Sequence, residues 1–254
     1  MKIAKRVNQL IRPLGLQIAR APKRAAGTLY NGSHARTDPF FDCLVNLGFK
    51  PKHFVDVGAN RGNWTRTALK YFPDAYFSMF EPQETMRREV ADLTRNERVK
   101  FYCMGAGPSN STMKLTIHSR DDSFTFALDE AQASSLGFPQ MEAPVVALDD
   151  FLPKTSLPPP DVLKIDAEGW DLQVLIGAMR TLRSCEVVLL EAAIMCKVFT
   201  NRFDVVIATM KEKGYVVFDI TDLNRTSFQN ALWLVEMAFV KQGGMLDSQV
   251  TRYS

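Results

Sequence analysis

The sequence predicts an α/β domain that is doubly wound: a mostly parallel sheet of seven strands with helices on both faces, one antiparallel strand, and a basic helix added at the N-terminus. Three observations carry this. From residue 39 onward the apolar spacing alternates between strand and helix periods. The strand segments are short, nearly continuous apolar runs, as a sheet buried on both faces requires. The last run, Ala231–Val240, has no crossover helix before it and so must pair antiparallel with a neighbour. The 254 residues, 46% of them apolar, are enough for one sizeable core and exclude disorder throughout.

Taken in order, Ile3, Val7, Leu10, Ile11 and Leu14 form an apolar stripe at helical spacing, with Lys2, Lys5, Arg6 and Arg12 largely off it and Pro13 and Gly15 limiting its length. Residues 1–24 hold seven basic side chains and no acid, and the remaining 230 residues, with 24 basic and 28 acidic side chains, carry −4. Such a helix suits peripheral contact with an anionic membrane surface, docking on its own domain, or dimerisation. Residues 1–38 therefore read as helix and linker, and 39–254 as the domain. A helix over Phe40–Leu47 precedes strand His53–Val57. A second helix places Trp64, Ala68, Leu69 and Phe72 on one face, and strand Ala75–Phe80, helix Glu84–Arg95 and strand Val99–Met104 complete a half-sheet. Met113–His118 reads as a hairpin arm, and the polar stretch Ser119–Ser135 has no clear period. Pro153 and Pro158 to Pro160 break the chain. Strand Asp161–Ile165 then leads to a helix with Leu172, Leu175, Met179 and Leu182 on one face, to strand Glu186–Glu191, to a helix carrying Phe203, Val206, Ile207 and Met210, and past Gly214 to strand Tyr215–Asp219.

Composition narrows the function. A formal charge of +3, without Lys/Arg stripes in the domain, argues against nucleic acid as a partner. Four scattered cysteines with no C-x-x-C pair fit a reduced cytoplasmic setting rather than structural zinc. No apolar run approaches the roughly 20 residues of a membrane span, and the N-terminus lacks the apolar core of a secretory signal. The expected location is cytoplasmic, with the inner membrane surface as the place of any peripheral contact.

The turn after the first strand, Asp56-Val57-Gly58-Ala59-Asn60-Arg61-Gly62-Asn63, puts glycines where chain and ligand approach closely before a helix opens. A dinucleotide fingerprint needs G-x-G-x-x-G, and Asn60 and Asn63 occupy its second and third glycine positions, which disfavours pyrophosphate and a nicotinamide-dependent oxidoreductase. Glu81 ends the second strand 23 residues after Gly58, where an acid faces a ligand ribose across the switch point. A phosphate-free loop with an acidic partner fits a cationic, amino-acid-bearing nucleoside, S-adenosylmethionine. A bland reading, in which the glycines only relieve crowding and Glu81 caps a helix, stands for each feature alone but not for the set. Farther on, Lys164-Ile165-Asp166-Ala167-Glu168-Gly169 places ionisable groups at a strand tip, and a lysine on a buried strand is costly unless paired.

Together, Phe54–Gly62, Phe80-Glu81-Pro82, Val145–Asp150 and Leu163–Gly169 resemble the FkbM family of S-adenosylmethionine-dependent methyltransferases over roughly residues 53–192. The resemblance implies a Rossmann-like seven-stranded sheet and methyl transfer to an oxygen of a sugar, glycan or polyketide-like acceptor. It assigns Asp56, Gly58, Asn60 and Gly62 to the cofactor loop, Glu81 to the ribose hydroxyls, Gly105 and Ala106 to the adenine region, and Asp166, Lys164 and Glu168 to the catalytic edge, which Glu191 also fits. Cys103 and Ser111 depart from the family pattern, which has Asn and Gly there, and Ser134-Ser135-Leu136 resembles an element that closes over the cofactor. Asp166 is the expected base or orienting carboxylate, with Lys164 holding its charge and Glu168 positioning the acceptor. A divalent metal on Asp166, Glu168 and Glu191 is the less favoured route. His34, His53 and His118 fall in no motif and read as structural. A catalytically silent adaptor that keeps the fold remains the alternative from a different class.

Overall fold

The structure, a computed structural model, describes residues 37–117, 124–197 and 199–250; the expected basic helix of residues 1–24, His34 and His118 lie outside them. In chain order the elements are α1 (Thr37–Asn46), β1 (His53–Val57), α2 (Asn63–Tyr71), β2 (Tyr76–Phe80), α3 (Met86–Glu89), β3 (Val99–Tyr102), β4 (Gly105–Ala106), β5 (Ser111–Ile117), β6 (Phe124–Thr125), α4 (Glu130–Ser135), β7 (Gln140–Val146), α5 (Leu148–Phe151), β8 (Val162–Ile165), α6 (Asp171–Ile176), β9 (Val187–Ala193), α7 (Phe203–Glu212), β10 (Tyr215–Arg225), β11 (Leu232–Lys241) and α8 (Met245–Gln249).

The main sheet has the order β10-β11-β9-β8-β1-β2-β3. Its pairs are parallel except that β11 runs antiparallel to both β9 and β10, so the predicted Rossmann-like sheet with one reversed strand is what forms. Successive side chains on a strand point to opposite faces. On one face Val55, Val57, Phe80, Leu163, Ile165, Val188 and Leu190 pack against Leu148, Val174, Leu175, Val206 and Met210 of the flanking helices. On the other, Phe54, Phe77, Met79, Val162, Val187 and Leu189 meet Phe40, Phe41, Leu44, Trp64 and Ala68 of α1 and α2. Phe54 and Phe77 stack at 4.7 Å between ring centroids across β1 and β2.

Five expectations need correction. Glu84–Arg95 is not one helix: α3 ends at Glu89 and a 3-10 turn covers Leu93–Arg95. Arg66 of α2 donates to the Glu89 carbonyl at 2.7 Å and to both Asp92 carboxylate oxygens at 2.9 and 2.6 Å, which ends the helix and ties down the segment beyond it. The helix expected through Leu182 stops at Ile176. A Cβ on Gly177 would lie 1.9 Å from the Gly107 carbonyl oxygen, and Asp149 accepts from the Arg180 and Thr181 N–H groups, pulling the chain into a new 3-10 turn. Met179 is consequently exposed, whereas Leu182 is buried.

The hairpin arm belongs to a second sheet of order β4-β7-β5-β6, whose strand β7 was not foreseen. Pro144 sits inside β7 with its side chain outward, while Ala143 and Val145 face a small core with Leu115 and Phe126. Within the stretch that showed no period, α4 starts at a capping box in which Asp129 accepts from the Gln132 N–H and the Gln132 side chain accepts from the Asp129 N–H. β10 also runs six residues past Asp219, with register shifts along an edge strand. Among the described residues no helix is long and apolar enough to cross a membrane.

His53, in the middle of the sheet, is fully buried. Its Nδ1–H donates to the Pro158 carbonyl at 2.7 Å, and Nε2 accepts from the Ser78 hydroxyl at 2.9 Å. Burial lowers its pKa against the upward pull of Pro158 and Asp161. A neutral folded histidine that protonates more readily when unfolded costs stability as pH falls below about 6.5. The stability advantage of wild type over His53→Gln, measured by urea unfolding, is therefore expected to shrink between neutral pH and pH about 5; an advantage that stays constant or grows contradicts the neutral assignment.

Candidate active site

The sheet order reverses between β1 and β8. β2 and β3 follow on one side and β9, β11 and β10 on the other, so the carboxyl ends of the two central strands open a crevice of the kind in which α/β sheets bind ligands. There a cleft open to solvent, with about 580 Å³ of empty space, is lined by Val57, Gly58, Asn60, Phe80 to Gln83, Gly105, Ala106, Leu115, Phe126 and Asp166 to Glu168. The central strands supply its floor. Leu115 and Phe126, from the second sheet, supply a wall that the sequence did not announce.

Of the residues expected to meet the cofactor, Gly58, Asn60, Glu81, Gly105 and Ala106 line this cavity, as do Asp166 and Glu168. Asp56, Gly62 and Lys164 do not; they stand behind the wall. Gly58, Asn60 and Gly62 all have positive φ (74°, 46° and 72°), which bends the loop tightly after β1. Gly58 and Ala59 donate to the Phe80 carbonyl at 2.9 and 3.1 Å, joining this loop to the end of β2. Gly62 is small for a packing reason: a Cβ there would come 2.6 Å from Leu93 and 3.0 Å from Met79. Ser134 and Ser135 lie in α4 and Leu136 is largely exposed, so that element is no part of the cavity wall.

Glu81 is only 4% exposed. Its two carboxylate oxygens accept the N–H groups of Asn60 and Gln83, each at 3.0 Å. Burial pushes its pKa up to about 6, against those two donors, which pull it down. The carboxylate is held in place by these donors and the Gln83 side chain, and it borders the cavity. Asp56 and Lys164 are directly opposite in the β1–β8 register. The Lys164 ammonium, 2% exposed, lies 3.2 Å from Asp166 and 3.4 Å from Asp56, and Thr65 of α2 donates to the other Asp56 oxygen at 2.7 Å. Burial alone would lower the lysine pKa, but Asp166, then Asp56 and Glu236, outweigh it and hold the pKa above the usual value.

The family profile described as "Methyltransferase FkbM domain" matches residues 56–217, well over half of the sequence. The chain belongs to the FkbM methyltransferase domain family. Among solved structures it is similar to an FkbM methyltransferase from Methylobacillus flagellatus KT, with 15% identity, a TM-score of 0.46 and coverage of 74% of this chain but only 44% of that one. It is also similar to the magnesium protoporphyrin IX methyltransferase of Synechocystis PCC 6803, solved with bound SAM, with 11% identity, a TM-score of 0.50 and coverage of 83% and 80%. The second likeness confirms the fold. No curated protein matches the sequence.

In this FkbM domain the acidic turn after β8 is itself a built feature. Glu168 and Gly169 both have positive φ (50° and 89°), and a Cβ on Gly169 would meet the Phe199 ring at 2.5 Å. Asp171, fully buried at the start of α6, accepts the N–H groups of Gly169 and Ala167 at 3.1 and 3.4 Å and the Asn201 amide at 3.0 Å. Its pKa rises to about 7, through burial first and Asp166 second. Asn201 also donates to the Glu191 carbonyl at 2.9 Å, so the loop after β9 braces the turn after β8. Asp171 was visible in the motif, but nothing in the sequence signalled its role as the turn's clamp, nor that of Asn201. Glu191 lies one strand farther out and not in the 580 Å³ cavity. Among the described residues no three His, Cys, Asp or Glu side chains are arranged to hold a metal ion.

Gly58 joins the two loops most tightly, because a Cβ there would sit 1.8 Å from the Asp166 carbonyl oxygen. The steric partner is thus the neighbouring loop before it is any ligand. Gly58→Ala must displace Asp166 and also carries the left-handed backbone penalty of about 1–2 kcal/mol. A total loss of at least about 2 kcal/mol in urea unfolding is expected; a loss under about 0.5 kcal/mol would show that the two loops are not in contact.

Proposed function

We propose that this domain transfers a methyl group from S-adenosylmethionine to a hydroxyl of a sugar, glycan or related natural-product acceptor, with the cofactor in the cavity at the ends of β1 and β2 and the reacting oxygen at Asp166. The observation that carries the reading is Glu81, a buried carboxylate with one backbone N–H on each oxygen and the cavity beside it. Ribose hydroxyls are donors that a carboxylate so placed can accept. The bend at Gly58 and Asn60 keeps the loop close to the strand ends, and Gly105 and Ala106 leave a small-residue wall for a flat base. FkbM membership supports the class of reaction.

The cofactor supplies an electrophilic methyl on a cationic sulfur, which leaves as a neutral thioether. Asp166 has to align the acceptor hydroxyl and take its proton as the carbon–oxygen bond forms. Its side chain is 35% exposed at the cavity edge, within reach of an entering molecule, and its other side is held by Lys164. That ammonium, 3.2 Å away, fixes the direction of the carboxylate. Glu168, on the same cavity wall, is placed to hold the acceptor, and the strained turn that carries it is held by Asp171.

Titration calorimetry with S-adenosylmethionine tests the cofactor assignment. Hydrogen bonds from ribose favour ionised Glu81, so affinity is expected to fall as pH drops through about 6 and to level off at higher pH. Glu81→Gln should bind roughly ten- to a hundredfold more weakly, the worth of about 1.5–3 kcal/mol in charge-assisted bonds, and should lose this pH dependence. An unchanged profile in the variant removes Glu81 from the site. Asp166→Asn is expected to lower turnover at least about a hundredfold with little change in cofactor affinity. If turnover barely changes, the proton goes elsewhere.

A further inference from the structure

The turn that follows β2 sets a second polar side chain against the cofactor cleft. Pro82 has no N–H to give, so the first backbone donor after Glu81 is the Gln83 N–H, which bonds Glu81 Oε1 at 3.0 Å. The Gln83 carbonyl then accepts from the Met86 N–H at 3.1 Å, where α3 begins. Gln83 lines the cleft, yet it is only 5% exposed. A primary amide so buried is costly unless it is bonded. One partner is Glu81, whose ionised form the Gln83 side chain favours.

An ionised carboxylate offers about four acceptor positions. At Glu81 the Asn60 N–H, the Gln83 N–H and the Gln83 side chain occupy three of them. That leaves about one for a ligand, whereas a ribose presents two neighbouring hydroxyls. The other side-chain acceptors lining the cleft are Asn60, Gln83, Asp166 and Glu168. Asn60 sits on the left-handed bend, and its oxygen takes the Arg61 N–H of its own loop at 2.6 Å. Asp166 and Glu168 follow β8, which lies on the far side of β1 from β2. Gln83 shares its turn with Glu81, and an amide that donates to a carboxylate still has its carbonyl oxygen as an acceptor.

We propose that Gln83 is a specificity-determining residue of the cofactor site: its amide carbonyl accepts one ribose hydroxyl while Glu81 accepts the other, so that the site demands an intact cis-diol. The inference rests on the S-adenosylmethionine reading and adds a residue to that site. Pro82 and the bond to Met86 hold the glutamine backbone, and Glu81 holds its amide, so both acceptors are set before the ligand arrives. A nucleoside that lacks either hydroxyl leaves one buried acceptor without its donor. Sites built to bond a substrate hydroxyl reject analogues without it for this reason.

The test is isothermal titration of the full chain, at neutral pH, with S-adenosylhomocysteine and with its 2′-deoxy and 3′-deoxy analogues. Wild type is expected to bind each analogue roughly fivefold or more weakly than the parent, the worth of one hydrogen bond. Gln83→Met keeps the backbone N–H and nearly the side-chain length. It should weaken the parent at least about fivefold more than it weakens one of the two analogues, the one that lacks the hydroxyl read by Gln83. Gln83→Asn, whose carbonyl falls one methylene short, serves in the same comparison if Gln83→Met does not fold. Equal weakening of all three ligands would leave Gln83 only the task of holding Glu81, and no weakening would remove it from the site; either result overturns the proposal. So does a wild type that binds either analogue as tightly as the parent. Failure of wild type to bind S-adenosylhomocysteine at all would instead overturn the cofactor reading on which the proposal rests.

Discussion

The site depends on one buried interaction, the Lys164 ammonium between Asp56 and Asp166. A lysine on a central strand, opposite an aspartate and shielded by helices on both faces, is tolerable only when its charge is matched. Each partner does a separate job. Asp56, fully buried and bonded to Thr65, fixes the ammonium to the helix that follows the glycine loop. Asp166, partly exposed, presents the same charge pair to the cavity. Removing the lysine would leave two carboxylates about one strand apart with no counter-ion, and removing either acid would leave an under-compensated ammonium in the core. The triad therefore locks β1 to β8 at the point where the sheet order reverses.

The lock extends outward by contact rather than by charge. Gly58 lies against the Asp166 carbonyl, and Gly58 and Ala59 bond to the end of β2, so three strand ends move as one body. Glu81 is positioned from that body through the Asn60 N–H. On the other side, Asp171 and Asn201 bind the acidic turn to the loop after β9. Charge in this region is graded: Lys164 contacts Asp56 and Asp166 directly and pulls on Glu236 from farther away.

The sheet was legible because burial on both faces writes itself as apolar runs, and Asp56, Gly58, Glu81 and Asp166 were legible because they end those runs. Their division into lining and support was not. Gly58 and Gly62 look alike in a turn motif, but only the packing distances show that one meets Asp166 and the other meets Leu93 and Met79. The second sheet escaped because β4 and β6 have two residues each and β7 contains a proline, so no periodicity could accumulate. The pairing of Glu191 with Glu236 across β9 and β11 escaped for a different reason. Glu191 and Glu236 are 45 residues apart, and only antiparallel register brings them side by side.

The same contrast between long and short strands separates the floor of the cavity from its outer wall. Its floor belongs to a sheet sealed on both faces, whose local unfolding requires disrupting two cores. Its outer wall, at Phe126, comes just after β6, which is held to β5 by only two residue pairs. One further bond, from the Thr125 hydroxyl to the Glu168 carbonyl at 2.8 Å, joins that wall to the acidic turn. Phe126 also lies against Gly105, where any side chain would displace it. The Thr125 hydroxyl thus ties the outer wall to the acidic turn, while the doubly covered sheet holds the floor.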